Sequence, residues 1–359
     1  MNRRSLLVVA AIAVVAVLLA IVGRRQSTPE TDAGALLLPG LTELLNDVER
    51  VVISKAQGEI VATLARGSAG WSVAEKDDYS ADVAKIRQAL VALGEARIVE
   101  EKTADPAFYD RLGVESVELP TASGTAVAID AAEAEFPVLI LGDEANSGSR
   151  YARRADEARS FLVDRNPDVP RSTAQWLIPD IVDVRGTRVQ SVTITHADGE
   201  RLAISKDDET EANFSVADIP EGRELSYPAV ANVIGNALRE LKLDDVARVA
   251  GTAGEPAVVT ELSTFDGLVV TMTGTMIGDE AWVTFAANAA PQPAVETVPA
   301  EAQVEAEAQD AAASAAEPPD PAAEAEAINA RVGGWRYRIP EYQYDQLTRR
   351  LADLLRAPD

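Results

Sequence analysis

The chain has 359 residues, 58 of them acidic and 33 basic, for a net charge of −25 at neutral pH. That length suffices for two domains, and a surface so acidic repels nucleic acid, which is bound through a basic footprint. With no cysteine and one histidine, His196, the composition excludes disulfides, thiolate or multi-histidine metal sites, a cysteine nucleophile and a lipidated N-terminal cysteine.

The chain opens with an unbroken apolar run, Leu6–Val22, between Arg3-Arg4 and Arg24-Arg25. As a helix it reaches ~25 Å. With Ser5, Gly23 and snorkelling arginines it spans a hydrocarbon core of ~30 Å. A cleaved signal peptide needs a small-x-small site after the apolar run, and Gly23-Arg24-Arg25 stands there instead, so an uncleaved anchor is expected. Arginines on both flanks leave orientation to the free amino group, which favours an inside N-terminus. The expected organisation is a transmembrane anchor at 1–25, a polar tether at 26–35 and a body in the periplasm.

The body reads as two copies of one pattern. VERVVISKAQGE at Val48–Glu59 returns as VQSVTITHADGE at Val189–Glu200, with Val48, Val51 and Ile53 against Val189, Val192 and Ile194. Each copy predicts strand, tight turn at Gly58-Glu59 or Gly199-Glu200, and strand. In the first copy, 36–176, a strand at Trp71–Ala74 follows. Next comes a helix capped by Ser80, with Asp82 in its first turn, an apolar face of Val83, Ile86, Leu90 and Leu93, and a stop at Gly94. A strand at Ala96–Val99 and a turn element, Tyr109-x-x-Leu112-Gly113, come next. Thr125–Ile129 should pair with Phe136–Leu141, and Tyr151–Arg154 with Ser160–Val163, Gly142-Asp143-Glu144 forming the middle turn.

The second copy, 177–359, repeats the order. Phe214-Ser215-Val216-Ala217 is its third strand. A helix capped by Ser226, with Pro228 in its first turn, should present Val230, Ile234, Leu238 and Leu241. Strands at Val246–Val249, Val258–Leu262 and Leu268–Thr273 follow, then a turn at Gly278-Asp279-Glu280 and a strand at Trp282–Ala286. From Asn288 to Ala330 the chain is Ala, Glu, Pro and Gln with nine acids and no Lys or Arg. Such a composition buries too little apolar surface to offset its ordering entropy, so 288–330 is expected to be a disordered loop inside the second copy. Trp335–Ile339 resumes the strand pattern, and Tyr344–Arg356 should be a helix striped by Leu347, Leu351, Leu354 and Leu355. The predicted fold is therefore α+β: two tandem copies of an antiparallel sheet-plus-helix unit behind one N-terminal transmembrane helix.

The anchor, the V-x-x-V-x-I hairpin with Gly-Glu, the aromatic-Ser-Val strand, the helix with its following strand, and Tyr109-x-x-Leu112-Gly113 come in an order that resembles the bacterial domain-of-unknown-function family 4340. The resemblance covers about 36–356 apart from the loop. The second copy departs from it, with Val249-Ala250-Gly251 where the Leu-Gly element would stand. The resemblance implies no catalytic residues. It implies an association with ABC-type transport systems of the gliding-motility kind, and hence transporter subunits as protein partners.

No residue stands out as chemistry. His196 lies beside a hairpin turn where the first copy has Lys55, and reads as a solvated strand residue rather than a general base. Asp143-Glu144 and Asp279-Glu280 are candidate calcium ligands, but read better as polar hairpin turns. Ser72 and Ser215 lie outside any nucleophile elbow. Trp71, Trp176, Trp282 and Trp335 could stack on a sugar, although packing is the default for strand aromatics. No glycine-rich nucleotide motif occurs, and no catalytic, metal or cofactor residue is assigned. The expectation is a non-enzymatic, membrane-anchored periplasmic protein that docks onto a transport or envelope complex. The alternative is an extracytoplasmic hydrolase or ligand-binding protein using a cleft between the copies.

Overall fold

The computed structural model describes residues 33–132, 134–146, 148–249, 251, 255–290 and 320–357. The anchor candidate Leu6–Val22 lies outside them. Among the described residues no helix is long and apolar enough to cross a membrane. The fold is α+β and rich in sheet, every strand pairing is antiparallel, and the chain divides into two compact units, Met1–Leu177 and Ile178–Asp359.

In the first unit the strands are β1 (Val48–Lys55), β2 (Glu59–Gly67), β3 (Gly70–Val73), β4 (Tyr79–Ser80), β5 (Ile98–Glu101), β6 (Thr125–Ala131), β7 (Ala134–Glu135), β8 (Leu139–Asn146), β9 (Ser149–Arg154) and β10 (Ser160–Val163). They form one sheet in the order β4-β3-β2-β1-β6-β8-β9-β10-β5, with β7 paired to β6. The hairpin β1–β2 turns through Gln57 and Gly58, both at positive φ. Strand β1 then pairs on its other side with β6, Val51 opposite Ile129 and Ile53 opposite Val127.

Between β4 and β5 runs helix α1 (Val83–Gly94). Its cap is Asp82, whose carboxylate accepts from the Lys85 N–H at 3.0 Å, and not Ser80, which is held in β4. Ile86, Ala89, Leu90 and Leu93 recur at helical spacing and pack on Val51, Ile53 and Leu64. Trp176 closes this core with its indole N–H donated to the Pro170 carbonyl at 3.1 Å. The void left inside is about 10 Å³, room for one water at most.

The turn element is built around a close backbone approach. A 3-10 helix, Pro106–Arg111, buries Tyr109, whose hydroxyl donates to the Ala158 carbonyl and whose ring lies 4.7 Å under the Arg153 guanidinium. Gly113 follows at φ +64°, and the Leu112 carbonyl accepts from the Asp143 N–H at 2.9 Å. A Cβ on Gly142 would overlap the Leu112 carbonyl oxygen, and one on Gly124 the Gly113 oxygen. Gly142-Asp143-Glu144 is therefore not the predicted turn. It lies within β8, at a register shift between Leu141 and Glu144, because the sheet must let the Leu112-Gly113 backbone touch it.

In the second unit the strands are β11 (Asp180–Val182), β12 (Val189–His196), β13 (Arg201–Ser205), β14 (Ser215–Val216), β15 (Leu241–Lys242), β16 (Asp245–Arg248), β17 (Val258–Thr264), β18 (Leu268–Ile277), β19 (Glu280–Ala289) and β20 (Trp335–Arg338). Strands β11 and β15 form a small sheet of their own. The main sheet runs β14-β13-β12-β17-β18-β19-β20-β16. Strands β17 and β18 bury every second residue, from Val258 to Leu262 and from Leu268 to Met272. This is the period-2 signature of a half-buried sheet.

Three expectations are corrected here. The helix expected from Ser226 onward narrows to α2 (Asn232–Gly235). Around it, backbone N–H groups bond three residues back (Val230 to Tyr227, Ala237 to Ile234, Arg239 to Asn236), and Leu241 belongs to β15. Asn232 supplies the physical reason. Its side chain bonds the Phe214 N–H at 3.1 Å and the Ala212 carbonyl at 3.0 Å, tying the segment to a loop instead of leaving it to wind.

The predicted loop at 288–330 is not all loop. β19 runs to Ala289, and α3 (Pro321–Val332) starts at Asp320, whose side chain caps the Ala322 N–H. Buried Ala325, Ile328 and Val332 share one face of α3. Asn329 both donates to the Ala287 carbonyl (2.6 Å) and accepts from its N–H (2.8 Å), as a strand neighbour would. Arg188 grips Glu324 of this helix and Asp266 together, at 2.7 and 2.6 Å. Composition hid α3 because its anchoring is tertiary. The rest of the predicted loop, 291–319, lies outside the described residues.

The terminal helix starts earlier than expected and breaks in two, α4 (Glu341–Leu347) and α5 (Leu351–Leu354). At the break the Arg350 N–H donates to Asp353, and the Arg350 side chain bonds Asp198 (2.8 Å) and Glu200.

Several consequences can be measured in urea unfolding. Gly142→Ala should cost about 3 kcal/mol or more, because the clash is with backbone. Gly148→Ala, at φ +89° with open space around it, should cost only about 1–2 kcal/mol of left-handed strain. Equal costs would mean that the close approach at Gly142 is not what matters. Ile328→Ala should cost about 2–4 kcal/mol, where a loop residue would cost next to nothing. Burial pushes the Asp266 carboxyl up, but hydrogen bonds from Thr264 and Arg188 outweigh it and hold it below the usual range. Its contribution is present above the ordinary carboxylate pKa near ~4 and is lost as pH falls through the lower folded value. Asp266→Asn should therefore destabilise at neutral pH and flatten the acid limb of the stability–pH curve.

Candidate functional site

The clearest concavity that gathers charge is a groove of about 480 Å³ in the second unit. It is assembled from the tip of the β18–β19 hairpin, the end of β20 and helix α4. The hairpin turns through Gly278-Asp279, with Ile277 paired to Glu280. Gly278 sits at φ +63°, the conformation that the first position of such a two-residue turn favours. That tight turn sets Asp279 and Glu280 at the mouth. Helix α4 presents Glu341, Tyr344 and Asp345 at spacings of three and four, hence on one face. Asp244, just before β16, is held there by its N–H bond to the Arg338 carbonyl at 2.8 Å.

The groove thus collects five carboxylates, Asp244, Asp279, Glu280, Glu341 and Asp345, against one cation. That cation, Arg338, is engaged with Glu280 at 2.8 Å. Met276 and Ile339 add apolar lining, and Met276 is 54% exposed. Ile277 and Tyr342, the sequence neighbours of lining residues, are also exposed, at 40% and 63%. Burial, followed by the nearby Asp345 charge, raises the Tyr344 hydroxyl above its ordinary pKa, so Tyr344 acts as a neutral hydrogen-bonding wall. Such a surface can hold a basic segment with apolar anchors through charge and contact together.

The residues singled out by sequence scatter. Asp279 and Glu280 come to the groove, whereas Asp143 and Glu144 belong to β8 in the first unit. Among the described residues no group of three or more His, Cys, Asp and Glu side chains is arranged to hold a metal. His196 is not a solvated residue. It is buried, its Nε2 lies 3.3 Å from the Arg349 carbonyl, and its own N–H bonds the Glu200 carbonyl. The hairpin is covered there by the segment joining α4 to α5, which strand periodicity could not reveal.

Ser72 and Ser215 sit in β3 and β14, and the Ser72 hydroxyl faces Asp78 at 3.4 Å. Trp176, Trp282 and Trp335 are buried, the last two under Arg336 and Arg248 at 5.1 and 3.8 Å. Trp71 alone of the four tryptophans stays half-buried. Sequence reading missed Asp244, Met276, Glu341 and Asp345. The i, i+4 acids of α4 are the one local signal for them, and Asp244 has none, since folding alone brings it near Arg338.

The chain matches the profile described as Domain of unknown function (DUF4340) over residues 71–260, more than half its length. No curated protein and no solved structure is significantly similar to it.

Proposed function

The chain belongs to the DUF4340 family, and from that premise we propose that it is a non-enzymatic docking component of a membrane-bound transport or envelope complex. In this reading Leu6–Val22 is a single-pass anchor in the cytoplasmic membrane, and the body lies in the periplasm. The two units are copies of one ancestral unit. The matching strand orders support this, β3-β2-β1-β6-β8-β9-β10-β5 against β14-β13-β12-β17-β18-β19-β20-β16.

The observation that carries the docking role is the groove at Met276, Asp279, Glu341 and Asp345. A groove lined by five carboxylates and one arginine, with the exposed Met276 beside them, is matched by a partner segment of opposite charge with apolar anchors. The occupant is a Lys- or Arg-bearing segment of an integral membrane protein, and the family resemblance points to subunits of an ABC-type transporter. An anchored body meets such a partner at high effective concentration, so a modest interface suffices.

A photo-crosslinking residue at Met276 in living cells should join the protein to a membrane subunit through a basic, apolar-flanked segment. The triple variant Asp279→Asn, Glu341→Gln, Asp345→Asn should lower the adduct yield about tenfold, as should high salt. Adducts that ignore the triple variant, or turnover of a glycan, peptide or ester by the purified protein, would overturn the docking reading. For the anchor, the protein should stay in the membrane fraction after carbonate washing with its N-terminus intact. A mature chain starting near Gln26 would show that the apolar run is a signal peptide.

A further inference from the structure

A second groove, of about 360 Å³, lies in the first unit, with the opposite chemistry. Its lining is mixed, with Thr42 and Asn46 beside apolar side chains. Val83, Ile86 and Leu90 of α1 line it at spacings of three and four, and Leu45 closes one end. Two arginines stand at the rim, Arg66 from the end of β2 and Arg87 from α1. No carboxylate lines it, in a chain that carries 58 acids.

Strand register explains part of this placement. Arg66 and Trp71 are directly opposite each other in the β2–β3 pair, so their side chains share one face of the sheet at neighbour distance. Trp71 is the half-buried tryptophan and lines the groove. Arg66 donates one N–H to the Asn46 carbonyl, which holds the side chain over the groove and leaves further donors. Arg87 forms no hydrogen bond or ion pair among the described residues, and neither arginine has a carboxylate partner there. Two cations that find no acid in so acidic a chain, beside a tryptophan and apolar side chains, form a recognition surface rather than a structural ion pair.

We infer that this groove is a binding site for a small organic anion: a carboxylate carried on a flat, apolar body. The volume suits such a molecule. The flat body lies on Trp71, Val83 and Leu45, the accessible apolar side chains of the groove, where burial supplies the hydrophobic contribution. The carboxylate sits between Arg66 and Arg87, whose planar forks match its two oxygens. The site is independent of the acidic groove of the second unit. It selects by charge sign, since a cation would meet two arginines and no carboxylate.

The test uses the full-length chain in nanodiscs and isothermal titration with 2-naphthoate, its neutral analogue 2-naphthalenemethanol serving as the control. Naphthoate should bind saturably. The double variant Arg66→Gln, Arg87→Gln should weaken it by about tenfold or more, the loss expected for charge-assisted hydrogen bonds at an exposed rim. Binding of the alcohol should be weaker and unchanged by that double variant. Trp71→Ala should weaken both. The two arginines are exposed, so their replacement should leave the urea midpoint where it is, and the binding loss is then not a folding loss. Absence of saturable naphthoate binding at millimolar concentration overturns the inference. So does binding that the arginine double variant leaves intact, or naphthoate and the alcohol losing affinity equally in it.

Discussion

Each unit depends on one antiparallel pairing at the centre of its sheet: β1 against β6, with Val51 opposite Ile129, and β12 against β17, with Val192 opposite Leu262. The partners are far apart in sequence, so loop-closure entropy must be met before the pairing contributes anything. What offsets it in the first unit is α1, which lies between the two strands in the chain and lays Ile86, Leu90 and Leu93 onto the face that the pairing creates. Because side chains alternate faces, a slip of one residue would turn Val51 and Ile53 to solvent, so the same burial that stabilises the pair also sets its register.

Around that centre the units solve the packing of their later strands differently. The first lets the backbone of Leu112-Gly113 touch β8, which demands glycine at 142 and 124 and gives Tyr109 its place under Arg153. In the second, helix α3 does comparable work on β19 through Asn329 and the Arg188 grip on Glu324 and Asp266. Side-chain amide bonds to a strand carbonyl and N–H supply what another strand would have supplied, and they leave no orphaned backbone group at that point.

Surface chemistry follows from those differences. In the second unit the exposed hairpin tip brings Asp279 and Glu280 beside the acids of α4. In the first unit the rim of α1 and the β2–β3 hairpin carry arginines without acids. A chain of net −25 thus carries both a groove lined mostly by carboxylates and a groove whose only charged lining residues are arginines. Local arrangement, and not net charge, decides the sign of charge that each groove presents.

The period-2 runs from Val48 and Val189, the glycines at 58, 199 and 278, and the Ile86–Leu93 stripe were legible in the sequence because local sterics and amphipathic spacing act within a few residues. The sheet-rich α+β class and the family follow from that local information. Apart from the α1 cap, which is Asp82 and not Ser80, the main failures are places where a distant contact overrode local preference. Asn232 bonded to Phe214 cut a helix short, Asn329 bonded to Ala287 built one from a disorder-prone composition, and a backbone approach turned Gly142-Asp143-Glu144 from hairpin turn into strand. His196 was buried by residues more than a hundred positions away. Both grooves belong to this second class. Asp244 and Asp345 come to one groove, and Arg66 and Arg87 to the other, only through tertiary closure, and such convergence leaves no periodic trace in the chain.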